Sequence, residues 1–212
     1  MRIPSIKVAV LSSHRQDQFP VHCEAPVELH WMEDLESFLD SAADLFIDLD
    51  FDGAEDRKEQ LANLNKPIVV NAVHWPCGEL PPGFIRINAW PGFTHPELVE
   101  LAFIQDEIPE ELDIFLKACA KTWVKVPDVV GMIRPRILAM IINEAWISFE
   151  EGISSKEEID TAMKLGTNYP MGPFEWATLI GEKNIVQLLT ILAGDNPAYK
   201  PSRLLEQSLL AT

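Results

Sequence analysis

The apolar positions along this chain change rhythm once, and that change divides it. Residues 6–11, IKVAVL, form an unbroken β-branched run that stops at Ser12 and Ser13, the pattern of a buried strand. A weaker strand is predicted over 27–31, and three more over 45–51 (LFIDLDF), 67–73 (PIVVNAV) and 84–90 (FIRINAW). Between them Phe38, Leu39, Ala42 and Leu45 fall at helical spacing, and a polar surface helix is predicted over 54–64. Strands alternating with helices predict a parallel α/β sheet.

After Pro109 the strand rhythm gives way to helices. PEELDIFLKACAKTW reads as a helix with Pro109 near its first turn, followed by an extended connector over 124–131. The stretch 135–151 is apolar around most of its circumference, so the helix it predicts is buried on several sides, in a core or against a second subunit. Gly152 ends it. Ser154 and Ser155 precede Glu157 and Glu158 at capping-box spacing, which starts a helix closed by Gly166. A turn at 170–173 leads into a helix from Pro173 to Gly181, then one over 182–193 and a polar tail. The predicted organisation is an α/β domain over 1–122 and an all-α domain over 123–212.

Charge narrows the partners. The formal net charge is -16, which repels polyanions and argues against nucleic acid and anionic membrane. Lys117, Lys121, Lys125, Arg134 and Arg136 form a local basic stretch broken only by Asp128, suited to a phosphorylated ligand or to a solvated face. Cys23, Cys77 and Cys119 are scattered and form no CxxC, which points away from a disulfide framework or zinc site and toward a reducing cytoplasm. The first apolar run is too short for a signal peptide, and no later one approaches a membrane span. Asp48, Asp50, Asp52, Gly53 and Glu59 satisfy the calcium-loop pattern formally. Glu55, however, stands where paired loops need an apolar residue, and there is no second loop, so no metal is expected.

Specific motifs sit in the helical half. Asn143-Glu144-Ala145, the acidic end Glu150-Glu151-Gly152, Ile159-Asp160 with Gly166, and Pro170-Met171-Gly172-Pro173-Phe174 follow one another in order and spacing, with Pro201-Ser202 before Leu204-Leu205. Over about 125–206 the chain resembles the C-terminal helical domain of the NAD-dependent 3-hydroxyacyl-CoA dehydrogenases. The resemblance implies a reduced Rossmann-like sheet followed by a helical domain of the 6-phosphogluconate dehydrogenase type, and an acyl-CoA ligand for which Arg134 and Arg136 are candidates. The helix over 135–151 carries more apolar surface than one small partner face should bury, which predicts a homodimer through the helical domain. Ile137, Met140, Ile141 and Trp146 are the expected dimer contacts.

The same resemblance implies a catalytic histidine twelve places before the glutamate of an L-V-E segment. Leu98-Val99-Glu100 matches the segment, and Asn88 stands at the histidine position. The family's asparagine after the histidine becomes Pro91, its hydroxyl residue after the preceding strand becomes Val73, and its G-F-I-x-N-R asparagine becomes Pro135. An asparagine amide cannot take and return a proton, whereas histidine does so near neutrality. His95 and His74 are the alternative bases. The turn after the first strand, SSHRQD, holds no glycine, and the first glycine of the chain is Gly53, so the backbone approach that a dinucleotide pyrophosphate needs is missing. No cofactor is therefore expected, with NAD the cofactor if the protein is active. The sequence predicts a divergent relative without the family's usual activity, a scaffold or acyl-CoA binder, with an active dehydrogenase using relocated residues as the alternative.

Overall fold

The computed structural model describes residues 5–13, 23–92 and 98–210. The chain forms two compact units, Met1–Met132 and Ile133–Thr212. The expected boundary at 122/123 falls ten residues earlier, because Thr122–Lys125 is a strand of the first unit's sheet.

The first unit runs β1 (Ile6–Leu11), β2 (Val27–Met32), α1 (Leu35–Leu39), β3 (Leu45–Asp48), α2 (Glu55–Ala62), β4 (Ile68–Val70), β5 (Ile85–Ile87), β6 (Leu98–Ala102), α3 (Glu110–Ala118) and β7 (Thr122–Lys125). These strands form one seven-stranded sheet in the order β2-β1-β3-β4-β5-β6-β7. Every pairing is parallel except β5 with β6, a departure from the all-parallel expectation. Alternation along each strand sorts the core into two faces, as a period of two requires. Ile6, Val8, Val10, Leu45, Ile47 and Val69 pack with Leu112, Phe115 and Leu116 of α3. Ala9, Leu11, Phe46, Ile68 and Val70 pack with Phe38 of α1 and Leu61 of α2 on the other face. Because both faces are covered, the strands read as continuous apolar runs.

The second unit is α4 (Arg134–Glu150), α5 (Lys156–Thr167), α6 (Pro173–Ile180), α7 (Glu182–Asp195) and α8 (Arg203–Ser208). Its described residues contain no strand. The predicted capping box is present: the Ser155 side chain accepts from the Glu158 amide, and Glu158 accepts from the Ser155 amide. Two buried polar side chains tie the helices together. Asn143 donates to the Lys200 carbonyl at 2.9 Å and accepts from the Ser202 amide at 2.8 Å, fixing the segment before α8 against α4. Asp160 of α5 accepts from the Phe174 and Glu175 amides at 2.8 and 3.2 Å, capping α6 from outside its own sequence.

Several expectations change here. The tail expected to be polar carries α8, whose Leu205 is fully buried. Residues 124–131 were expected to be only a connector, yet the strand β7 reaches Lys125. Trp146, expected at a dimer interface, is 4% exposed and packs on Phe149 and Phe174 inside the helical unit, with the Lys156 ammonium 3.9 Å from its ring. Cys23 and Cys119, expected to be free, form a disulfide, since the fold brings together residues that lie 96 positions apart. The calcium-loop acids are engaged by the protein itself. Asp48 pairs with Arg57, Asp50 accepts from the Ser13 amide and Asp52 from the Ala54 amide.

Gly172 lies so close to Asp160 that a Cβ added there would overlap the carboxylate. Gly172→Ala should cost about 1–3 kcal/mol in denaturant unfolding, the range for overfilling a packed site. Gly166 faces open space within α5. Gly166→Ala should instead stabilise by up to about 1 kcal/mol, because alanine is the better helix former.

Candidate functional site

The antiparallel pairing of β5 with β6 sets the site's geometry. Its register places Arg86 opposite Ala102 and Ile87 opposite Leu101, and the next step brings Asn88 to Glu100. The Asn88 amide donates to Glu100 Oε2 at 3.5 Å, the long end of a hydrogen bond, and both residues are buried. Asn88 Oδ1 accepts from the Trp90 amide at 3.3 Å, and Asn71 at the end of β4 accepts from the Ala89 amide at 3.0 Å while donating to the Leu49 carbonyl. The carboxamide of Asn88 is thereby held at both ends. His74 is buried too, with its ring 5.7 Å from that of Trp90.

The chemistry open to this pair is limited. Glu100 is a carboxylate presented to an amide donor, and the amide has no basic lone pair with which to take a hydroxyl proton. Of the other sequence candidates, Arg134 and Arg136 lie in the first turn of α4 in the second unit, where the Arg136 guanidinium is 5.7 Å from the Tyr199 ring centroid. Pro135 occupies the same helical turn and is buried. Val73 is fully buried, with its carbonyl accepting from the Gly131 amide. His95 lies outside the described residues.

Sequence reasoning missed the group that organises this end of the sheet. Arg86 has no exposed surface; its guanidinium donates to the carbonyls of Ala72, Val73 and Val129 and pairs with Asp128. Asp128 also accepts from the Cys77 amide at 2.9 Å. Partial burial acts to raise the Asp128 pKa, but the Cys77 and Arg86 contacts outweigh it and hold the carboxyl below its ordinary 3.8. The available signal was Arg86 itself, a charged residue inside the apolar run FIRINAW, which could be buried only with an acidic partner.

The carboxyl ends of β1 and β3 form the topological switch point, where nucleotide phosphates bind in doubly wound sheets. Here the Ser13 amide, two residues past β1, donates to the Asp50 carboxylate at 2.5 Å. Asp48, at the end of β3, is fully buried and held by Arg57 at 2.7 and 2.8 Å. Burial drives its pKa up to about 6 against the opposing pull of Arg57. Carboxylates rather than glycine amides furnish this crevice, so its described residues do not fit a dinucleotide pyrophosphate.

Asp128→Ala should destabilise the first unit by about 3 kcal/mol in denaturant unfolding, because it leaves a buried guanidinium without its counter-charge. In the native protein the Asp128 contribution is fully present above the ordinary carboxyl value. It is lost as pH falls below 3.8 through the depressed native value. The variant's unfolding free energy should therefore converge toward that of the wild type as acid is added.

Residues 131–212 match the family model for the 3-hydroxyacyl-CoA dehydrogenase C-terminal domain. The chain is 41% identical over 98 residues to 3-hydroxyadipyl-CoA dehydrogenase of Escherichia coli, a match covering 45% of this chain and 21% of that protein. It is 39% identical over 123 residues to human mitochondrial hydroxyacyl-coenzyme A dehydrogenase, covering 57% of this chain and 39% of the relative. The chain thus spans less than half the length of either. A match to a probable 3-hydroxybutyryl-CoA dehydrogenase of Deinococcus radiodurans extends over 202 residues at 29% identity, 86% of this chain and 71% of the relative. Among solved structures, (S)-3-hydroxybutyryl-CoA dehydrogenase from Ralstonia eutropha shares the fold at a TM-score of 0.69 and 24% identity, covering 88% of this chain and 71% of that one. The helical half thus carries the 3-hydroxyacyl-CoA dehydrogenase C-terminal domain pattern, and the chain shares its two-part fold with solved structures of that family.

Proposed function

We propose that this chain is a divergent member of the family that holds an acyl-CoA or a related thioester without oxidising it through NAD. The observation that carries the reading is Asn88, a neutral amide facing Glu100 where a 3-hydroxyacyl oxidation requires a base. Arg134 and Arg136 at the start of α4 supply positive charge for a CoA phosphate in a chain of net charge -16. The Asp50 carboxylate on the Ser13 amide supports the absence of NAD from the function. A second reading, an active NAD-dependent dehydrogenase with a relocated base, draws support from His74, which is buried beside Trp90.

The two readings separate in an NADH-linked assay on acetoacetyl-CoA. Wild type should show no turnover above background, and Asn88→His alone should restore little of the factor of about 10²–10⁴ that a positioned base supplies. The base acts as a unit with substrate and cofactor positioning, and by the family pattern the sequence has Val73 in place of a hydroxyl residue and Pro135 in place of an asparagine. Turnover by wild type that Glu100→Gln abolishes would establish the second reading, with His74→Gln as its companion test. A thermal shift with CoA and acyl-CoA should raise the melting temperature of wild type, less so for Arg134→Ala with Arg136→Ala.

The assembly we propose is a homodimer through the helical unit. Ile137 on α4 is 57% exposed, with Met140 and Ile141 half-buried along the same helix. Fully burying each large apolar side chain is worth roughly 1.5–3 kcal/mol. Light scattering at micromolar concentration should report a dimer for wild type and a monomer for Ile137→Glu. A monomeric wild type would remove the proposal.

A further inference from the structure

The Cys23–Cys119 bridge links the segment before an edge strand of the first unit to the end of α3. Strand β2 is a sheet edge, paired on one side only with β1, and its residues are half-buried or exposed. Its companion on the same face is α3, whose C-terminal end carries Cys119. Beside the bridge the Glu24 amide donates to the Ala118 carbonyl at 2.9 Å, a backbone clasp that brings the two cysteines into register. The bridge spans a separation of 96 residues, and that loop contains β2 through β6, five of the seven strands.

We propose that this cysteine pair is a redox-addressed staple that sets the stability of the first unit. When the pair is oxidised, the closed loop removes conformational freedom from the unfolded chain, and the gain grows with loop length. When it is reduced, the covalent link is lost, and apolar contact with α3 and the Glu24 clasp just before β2 remain. The two sulfurs are not equivalent. Cys119 is 6% exposed whereas Cys23 is half-buried, so an incoming thiolate reaches Cys23. A dithiol reductant attacks Cys23 Sγ, forms a mixed disulfide there and expels the Cys119 thiolate. Its second thiol then displaces Cys23, leaving two protein thiols and an oxidised reductant. Cys77 takes no part: burial pushes its thiol up to about 11, and it is held inside the fold.

The test equilibrates the full chain in mixtures of oxidised and reduced dithiothreitol from oxidising to reducing, then alkylates it under denaturing conditions and measures melting in parallel. The expected result is one alkylated thiol at the oxidising end and three at the reducing end. The melting temperature should fall in step by about 5–15 °C, the span of a loop of this length in a chain of this size. Cys23→Ser should melt like the reduced wild type and ignore the buffer. Alkylation of all three thiols throughout, or a melting temperature that does not follow the thiol count in the wild type, would overturn the proposal. So would a bridge that stays closed at the reducing end. The thiol count on the wild type decides the matter even if the variant does not fold.

Discussion

A guanidinium stripped of water must be given acceptors by the protein, and the end of the first unit that carries Asn88 and Glu100 is arranged around meeting that demand for Arg86. The side chain rises from the middle of β5, where its neighbours Ile85 and Ile87 are core residues. To be buried there it gathers the carbonyls of Ala72 and Val73 after β4, the carbonyl of Val129, and the Asp128 carboxylate. Removing any one of these would leave part of a full charge unsolvated, a larger cost than losing an apolar contact. The loop after β4 and the segment after β7 are therefore fixed to the same point. Asn88, two residues further along and just past the end of β5, inherits its position from this anchoring.

In the helical unit the same logic operates with neutral and acidic groups on backbone amides. The residues by which the family is recognisable prove to be caps and ties. Asn143 is an acceptor and donor for the segment before α8, Asp160 is the N-terminal cap of α6, and Gly172 is the vacancy that lets Asp160 reach the α6 amides. A motif of this kind constrains residue identity tightly because hydrogen bonds and excluded volume each admit few alternatives. It says nothing about reaction chemistry, which depends on side chains elsewhere.

That distinction explains which parts of the molecule were legible in the sequence. The strands β1 to β5 were readable from apolar runs, and the helices α4 to α7 from periodicity and caps, since both signals are local. Strand β6 exposes Leu98 at its first residue and buries the charged Glu100 at its centre, and β7 is a mostly exposed edge, so neither carries an alternation that stands out from a connector. The α8 helix is too short for its period to show. The Cys23–Cys119 bridge and the Arg86–Asp128 pair join residues 96 and 42 positions apart, and only the folded topology reveals such partners. Asn88 and Glu100 were an exception. Their spacing of twelve was readable through the family's pattern, and the antiparallel register then places them face to face.

The Asn88–Glu100 contact also separates two demands that a histidine at this position would meet together. The fold needs a donor for a carboxylate that is almost entirely removed from water, because an unpartnered buried carboxylate is costly. Acid–base chemistry needs the same side chain to exchange a proton with a substrate hydroxyl near neutral pH. An amide N–H satisfies the first demand through a fixed donor whose state does not change with pH. It fails the second for the same reason. Residue 88 can therefore hold the end of β5 against β6 through Glu100 without itself exchanging a proton, and the surrounding backbone is tied by Asn71 and by the Trp90 amide. A scaffold whose stability rests on capping groups and a buried ion pair does not depend on the acid–base character of residue 88 for its shape.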